Sequence, residues 1–257
     1  MKAELLERLV HISDTHISRF GMFLPERLDS CIRIVNSLDP PPQFIIHSGD
    51  LTDYGILMDY EMAVEKMDEF EPDIVYVPGN HDERNYGDSL FREMVSQVDI
   101  LNSFGKIVVL TLGSAIPDSD NGRLGRWRQQ LIKQKMQGFG DDILKIVAFH
   151  HHLIPIPYAG REKDILEDAG DVLRIILESG VNMVLMGHRH VRNAIKVGET
   201  LLVNAGTVSC VRTRGRLGNS FNIIDLYSDG SVEVSEVGLP SGEARSVGRF
   251  AVKRGML

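Results

Sequence analysis

The sequence predicts an α/β fold in one domain, in which a layered core of strands and helices is followed by a second, largely antiparallel sheet. Short apolar runs alternate with segments of helical period up to residue 190, and strands alone follow. No repeat, low-complexity tract or linker divides the 257 residues. We therefore expect a single domain over 1–257, with a peripheral tail over 238–257.

In the first part of the chain, apolar runs bounded by turn residues predict six strands. They are Arg8–Ser13, Gln43–His47, Asp73–Val77, Lys106–Leu112, Lys145–Phe149 and Val181–Met186. Amphipathic stretches between them predict helices over Pro25–Leu38, Ile56–Phe70, Tyr86–Val98, Arg123–Gln137 and Glu167–Ser179. Pro25 suits the first turn of the first helix, and Gly180 ends the last one.

Beyond residue 190, turns that contain glycine separate four further predicted strands. These are Asn193–Val197, Leu201–Asn204, Phe221–Leu226 and Val232–Val237. The tail holds Arg245, Arg249, Lys253 and Arg254 against Glu243, and we expect it to be a solvated, partly ordered terminus.

Composition excludes several classes of function. The net charge of −8 argues against a clamp for nucleic acid, which would need a basic face. No apolar run approaches the roughly 18 residues of a transmembrane helix, and Glu4 and Glu7 interrupt any secretory segment. Cys31 and Cys210 are too few for a disulfide framework, so we expect a reduced, cytoplasmic protein without a membrane partner. The sequence is compatible with both a monomer and an oligomer.

Polar side chains follow five of the predicted strands at the point where each strand ends. The segments are Asp14-Thr15-His16, Gly49-Asp50 with Asp53, Gly79-Asn80-His81-Asp82, His150-His151-His152 and Gly187-His188-Arg189-His190. Ligands of open α/β sheets bind outside the carboxyl ends of the strands, so the five segments should converge on one edge. Seven of the nine histidines fall in them, which unrelated caps and turns would not produce.

This set of residue types is typical of metal chelation. Asp14 and His16 are two apart, as are His188 and His190, so an extended backbone would turn each pair to one side. Seven groups suit two ions that share a carboxylate better than one tetrahedral ion. They are Asp14, His16, Asp50, Asn80, His150, His188 and His190. Imidazole and carboxylate accept Mn, Fe, Zn, Co or Ni, of which we favour Mn and Fe.

The same segments, in order from residue 9 to residue 190, resemble the calcineurin-like metallophosphoesterase superfamily. The resemblance implies a four-layer α/β/β/α sandwich, with two packed mixed β-sheets flanked by helices. It also implies two divalent metal ions with Asp50 bridging them. One ion would be held by Asp14, His16, Asp50 and His190, and the other by Asp50, Asn80, His150 and His188.

Roles for neighbouring residues follow from the resemblance. His81 is similar to the family histidine that steadies the phosphoryl charge or protonates the leaving oxygen, and Asp82 could orient it. We expect Asn80, His81 and His151 to contact substrate. The family has one histidine or a pair at its fourth motif, whereas this chain has three; we assign the ligand to His150, which ends the strand, with His151 as the alternative.

The chain resembles most the phosphodiesterase branch that includes cyclic-nucleotide and glycerophosphodiester enzymes. The predicted function is hydrolysis of a small-molecule phosphodiester by attack of a hydroxide that two metal ions acidify. A phosphomonoesterase acting on a nucleotide or a phosphoprotein is the alternative. A non-catalytic scaffold is a third reading, disfavoured because all seven ligand positions are present.

Several residues keep two interpretations at this point. Asp53 could support a metal ligand or cap the following helix. Arg212, Arg214 and Arg216 could contact the substrate phosphate or lie on a solvated loop. We expect Ile154–Ala169 to form a lid over the pocket. Trp127 and Tyr158 are candidates for stacking on a base, although a single tryptophan is usually part of a core.

Overall fold

The computed structural model of the protein describes residues 3–161 and 163–252. Its strands are β1 (Leu5–Ile12), β2 (Phe44–His47), β3 (Ile74–Tyr76), β4 (Leu101–Phe104), β5 (Ile107–Thr111), β6 (Leu144–Ala148), β7 (Met183–Met186), β8 (Asn193–Val197), β9 (Thr200–Asn204), β10 (Asn219–Tyr227), β11 (Ser231–Leu239) and β12 (Ala244–Ala251). Its helices are α1 (Pro25–Asn36), α2 (Leu57–Met67), α3 (Gly87–Met94), α4 (Gly125–Met136) and α5 (Ala169–Glu178). None of these helices is long and apolar enough to cross a membrane.

The strands form two mixed sheets of six strands each, in the orders β12-β11-β10-β1-β2-β3 and β4-β5-β6-β7-β9-β8. One apolar core lies between the sheets, where Leu9 and Phe44 of the first share a cluster with Ile146 and Leu185 of the second. A second cluster packs α1 and α2 on the outer face of the first sheet, and a third packs α4 and α5 on the second. The four-layer α/β/β/α sandwich is confirmed.

The expectation of a separate antiparallel sheet at the C-terminal end is wrong. Strands β8 and β9 extend the second sheet, whereas β10, β11 and β12 extend the first through an antiparallel pairing of β10 with β1. Open edges of a parallel sheet carry unpaired backbone groups, and these strands pair with them. Each predicted strand exists, but the apolar pattern of a strand does not say which sheet it joins.

Two strands lie where none was predicted. Strand β4 has only two apolar residues in four, and β12 lies in the tail that we expected to be a solvated terminus. Strand β12 pairs with β11 from Ala251 opposite Ser231 to Ala244 opposite Val237, and most of its side chains face solvent. A mostly exposed edge strand needs little apolar character, which explains why the sequence pattern missed it. Residues 253–257 of that tail lie outside the described residues.

The parallel strands position the site. Strands β1, β2 and β3 run parallel in one sheet, as do β5, β6 and β7 in the other. The loops after β1, β2, β3, β6 and β7 carry the five polar segments. Backbone bonds join neighbouring loops: Asp14 N–H donates to Gly49 O at 2.9 Å, and Gly187 N–H to His150 O at 3.0 Å. The five segments therefore meet at one edge, as predicted.

Candidate metal centre

The loops that carry the centre have an unusual backbone. Five of the seven predicted ligands have left-handed φ angles, a region that non-glycine residues rarely occupy. The angles are 54° at Asp14, 48° at His16, 54° at Asp50, 73° at His188 and 54° at His190. The pairs Asp14/His16 and His188/His190 were predicted to turn to one side through an extended backbone, and these angles show that the backbone is not extended there. Tight turns bring these side chains together. Contacts with the surrounding buried structure offset the free-energy cost of that backbone conformation.

One group of ligand atoms surrounds His190. The Nε2 atom of His190 lies 3.3 Å from Asp14 Oδ1 and 3.1 Å from His16 Nε2. His16 Nε2 is in turn 3.6 Å from Asp50 Oδ2. The ligand atoms of Asp14, His16, Asp50 and His190 all lie within 4.8 Å of one another.

A second group shares Asp50 with the first. Asp50 Oδ2 lies 3.3 Å from His150 Nε2, which is 3.3 Å from His188 Nδ1. The ligand atoms of Asp50, His150 and His188 fall within 4.8 Å of one another, and Asn80 Oδ1 lies 3.1 Å from His188 Nδ1. The structure thus brings all seven predicted ligands into two adjoining groups.

Hydrogen bonds on the far side of three rings select the nitrogen that faces inward. His150 Nδ1 donates to the carbonyl of Ser48 at 2.8 Å, and His190 Nδ1 donates to the carbonyl of Arg212. His16 Nδ1 donates to Asp53 Oδ1 at 3.1 Å. A carbonyl accepts and never donates, so Nδ1 carries the proton and Nε2 offers its lone pair to the centre.

The electrostatics favour cations at this point. Burial raises the pKa of Asp50, but His150, His81 and His16 outweigh it and hold the pKa well below its usual range. Burial also lowers the pKa of His150, yet Asp50 and Asp14 raise it to about 9. Two buried carboxylates thus demand positive charge among imidazole nitrogens that face one another at about 3 Å. Divalent cations meet that demand, and the oxygen and nitrogen donors fit them.

Two predicted glycines are required by close approach. A Cβ atom at Gly49, whose φ is +104°, would clash with the ring of His150. A Cβ at Gly79 would clash with the backbone nitrogen and carboxylate of Asp50. A larger residue at position 49 would displace a ligand of the second group, and one at position 79 would displace the carboxylate that the two groups share.

The structure corrects the partner of His81. Asp82 is fully buried and accepts hydrogen bonds from the backbone of Leu51, Thr52 and Gly79, so it holds the loops together and does not orient the imidazole. Asp53 does so instead: its carbonyl lies 2.7 Å and its Oδ1 3.2 Å from His81 Nδ1. The capping role for Asp53 is wrong, because α2 begins after Ile56 without a side-chain cap.

His151 does not face the pocket. Its ring is fully buried, with Nδ1 2.8 Å from Ser114 Oγ and Nε2 3.2 Å from the carbonyl of Asp120. Both nitrogens are engaged and His151 is not among the described lining residues of the cleft, so its contact with substrate stays a prediction that this arrangement does not support. It also favours His150 over His151 as the ligand. His152 is buried as well and stacks on His188 at a centroid distance of 5.8 Å.

A cleft of about 580 Å³, open to solvent, lies over the two groups. Arg212 and Arg214 line it, and Lys163 and Asp164 of the predicted lid form one wall. Arg216, Trp127 and Tyr158 are not among the described lining residues. Trp127 is 62% exposed on α4, so the expectation of a core tryptophan is wrong.

Sequence reasoning missed three residues of the cleft. Arg84 and Asp120 form an ion pair of 2.7 Å at its edge, and neither falls in a motif that singles it out. Arg189 lies between the two histidines of its motif, and the spacing of those histidines predicts no role for it. It is 1% exposed and donates to the carbonyls of Ala159, Arg161 and Lys163, so it fastens the lid segment.

A sandwich of two mixed sheets with these donor groups at the strand ends is the arrangement that the resemblance to metallophosphoesterases implies. Residues 7–192 match the family model described as calcineurin-like phosphoesterase. The chain belongs to that family.

Two curated relatives are similar to this chain in sequence, and a solved structure is similar to it in fold. A probable glycerophosphodiester phosphodiesterase of Arcobacter nitrofigilis is 27% identical over 155 residues, which is 56% of this chain and 56% of that protein's length. A 3′,5′-cyclic adenosine monophosphate phosphodiesterase of Pseudomonas aeruginosa is 24% identical over 88% of this chain and 87% of its own length. A dimetal phosphatase of Danio rerio shares the fold, with a TM-score of 0.70 and 13% identity over 95% of this chain and 99% of that one.

Proposed function

We propose that the chain is a dinuclear-metal-dependent phosphodiesterase that hydrolyses a small-molecule phosphodiester. One observation carries the proposal: two groups of ligand atoms share the carboxylate of Asp50 beneath an open cleft. Both curated relatives described above carry the names of phosphodiesterases, which supports a diester over a monoester.

The proposed ligands of one ion are Asp14, His16, Asp50 and His190, and those of the other are Asp50, Asn80, His150 and His188. Two ions held there would polarise the phosphoryl oxygens and lower the pKa of a bound water. The carboxylates of Asp14 and Asp50 balance part of the cationic charge, so the cleft stays positive and attracts an anionic ester. That local balance differs from the net charge of −8 for the whole chain.

His81 is positioned to move a proton. Its Nδ1 lies 2.7 Å from the carbonyl and 3.2 Å from Oδ1 of Asp53, which both accept, and 3.0 Å from the donor Arg84 Nη1. The two acceptors favour a proton on Nδ1, and Nε2 is the nitrogen left for substrate. His81 lines the cleft with its side chain 12% exposed. We propose that His81 acts as the imidazolium, in which Nε2 also carries a proton, and that Nε2 then donates a hydrogen bond to the phosphoryl group or its proton to the leaving oxygen.

Removal and return of metal tests the proposed function. After stripping with a chelator, we expect hydrolysis of bis(p-nitrophenyl) phosphate to vanish, and reloading with Mn²⁺ to restore it. The initial rate on this diester should exceed the rate on p-nitrophenyl phosphate. A preference for the monoester would identify a phosphatase instead, and no turnover of either ester by metal-loaded protein would contradict both enzymes.

Asp120 is expected to steady the second proposed metal site through Asn80. Its Oδ1 accepts from Asn80 Nδ2 at 3.2 Å and from Arg84 Nη2 at 2.7 Å, which leaves Asn80 Oδ1 facing His188. Without that acceptor the amide can rotate. In Asp120→Ala, we expect the dissociation constant of one of the two metal ions to rise about 10–100-fold, as for other residues that orient a ligand.

Competition with a chelator, followed for both ions, measures this change. Asp118→Ala is the matched control, because Asp118 lies on the same loop and accepts from Asn85 N–H rather than from Asn80. Equal weakening of both ions in Asp120→Ala, or none, would show that Asp120 does not act through Asn80.

A further inference from the structure

Five cationic side chains line the cleft, and three of them are already neutralised or held. Arg84 pairs with Asp120 at 2.7 Å, and Lys163 Nζ lies 3.0 Å from Asp164 Oδ2. Arg189 is buried, donates to three backbone carbonyls and lies 3.9 Å from the same Asp164. These three side chains therefore have roles within the fold.

The remaining two are Arg212 and Arg214. Both are exposed at the outer wall of the cleft, and among the described residues neither is within ion-pair distance of a carboxylate. Arg214 Nη1 donates to the carbonyl of Ala159 at 3.2 Å, which leaves its charge uncompensated. Two guanidinium groups beside a site built for cations repel that site unless an anion lies between them.

The loop that carries these two arginines is ordered by its own contacts. Val211 N–H donates to Met22 O at 2.8 Å, Leu217 N–H donates to Arg214 O at 3.1 Å, and the carbonyl of Arg212 accepts from His190. The backbone is therefore bonded to Met22 and to a proposed metal ligand, and it closes a turn from Arg214 to Leu217. These bonds hold the backbone from which both side chains extend, so the loop itself needs little rearrangement when a ligand binds.

The described lining of the cleft also has no apolar side chain that could bind an apolar part of a substrate. Its described lining consists of charged residues, imidazoles and one asparagine, with no aromatic side chain other than histidine. For a nucleobase this lining offers imidazole and guanidinium planes but no phenyl, phenol or indole ring. A small hydrophilic polyanion, in contrast, matches both the lining and the surplus of positive charge.

We propose that Arg212 and Arg214 form an anion subsite that binds a second anionic group of the substrate, a carboxylate or a phosphate, remote from the phosphodiester that is cleaved. This inference rests on the proposed function and narrows its substrate class to hydrophilic diesters of at least two negative charges. The exposed position of both side chains, outside the buried ligand groups, places the subsite at the rim rather than at the reacting phosphorus.

Matched substrates test the subsite. Ethyl, 2-carboxyethyl and 2-phosphonoethyl p-nitrophenyl phosphate share the leaving group and the scissile bond, and the last two add a remote anion of either kind. We expect kcat/KM of the Mn²⁺-loaded chain to be about 10–100-fold higher on at least one anionic ester, which is the range for one or two charge-assisted hydrogen bonds. The better of the two identifies the second group.

The variant Arg212→Gln/Arg214→Gln should lose that preference, with a loss on the anionic ester at least tenfold larger than its loss on the ethyl ester. Arg216→Gln is the control: it removes one charge from the same exposed loop at a residue outside the lining, and the preference should persist. Equal rates on all three esters, or a preference that the double variant retains, would overturn the subsite.

A binding measurement separates this inference from the proposed function. By calorimetry, the Mn²⁺-loaded chain should bind 3-phosphonopropionate more tightly than propylphosphonate, and the double variant should bind the two equally. Tighter binding of 3-phosphonopropionate without turnover of any diester would refute the proposed phosphodiesterase activity and support the subsite. Turnover of the ethyl ester, with equal binding of 3-phosphonopropionate and propylphosphonate, would support the proposed activity and refute the subsite.

Discussion

Replacing Asp50 by asparagine is expected to lower kcat/KM on a diester about 10³–10⁵-fold, because losing a metal ion costs several kcal/mol of transition-state stabilisation. Asp50 Oδ2 lies 3.3 Å from His150 Nε2 and 3.6 Å from His16 Nε2, so it is the carboxylate common to both groups. An amide keeps the shape but loses the charge that a bridging ligand needs. Elemental analysis should show the metal content falling from two ions per chain to one or fewer.

Asp59→Asn is the matched control for this prediction. Asp59 is also fully buried, but it accepts hydrogen bonds from Ser18 Oγ and Tyr54 N–H and lies outside both ligand groups. We expect this variant to keep both metal ions. If Asp50→Asn retained two ions and normal turnover while folding normally by circular dichroism, the bridging role would be refuted.

Replacing His81 by alanine is expected to reduce turnover about 10²–10⁴-fold while the metal content stays near normal, since the ring acts on the phosphate or leaving oxygen. The side chain lines the cleft beside Asn80, and Asp53 fixes its orientation through Nδ1. Steady-state rates on the diester, together with metal analysis of the same sample, measure both parts of the prediction. Loss of metal from His81→Ala would make His81 a ligand.

His81→Asn distinguishes proton transfer from a structural role. The asparagine amide can still donate to the carbonyl of Asp53, but it has no counterpart to Nε2 and no titratable nitrogen. We expect it to be as impaired as alanine. Recovery of turnover in His81→Asn would show that His81 serves to position the Asp53 loop rather than to act on substrate.

Most residues of the metal centre could be predicted because they directly follow the ends of strands. The apolar runs before Asp14, Asp50, Asn80, His150 and His188 marked the strands, and parallel strands bring such ends to one edge. The pairing of residues into two groups around Asp50 came from the family resemblance, and the structure shows the same grouping.

Residues that support the centre were harder to predict because their role depends on distant contacts. The motifs allow two roles for Asp53, favour Asp82 as the partner of His81 and do not single out Asp120. The partners of Asp120 are Asn80 and Arg84, at least 36 positions away. No local sequence pattern indicates which carboxylate accepts a hydrogen bond from which loop.

The sequence by itself determined the class of fold, the family and the seven residues that converge at one edge, because periodicity and motif spacing are local properties of the chain. Tertiary structure alone decided which sheet each C-terminal strand joins, that His151 is turned away from the cleft, and that Arg212 and Arg214 line it whereas Arg216 does not. These outcomes depend on contacts between segments far apart in the chain, and charge or burial at such contacts cannot be read from neighbours in sequence.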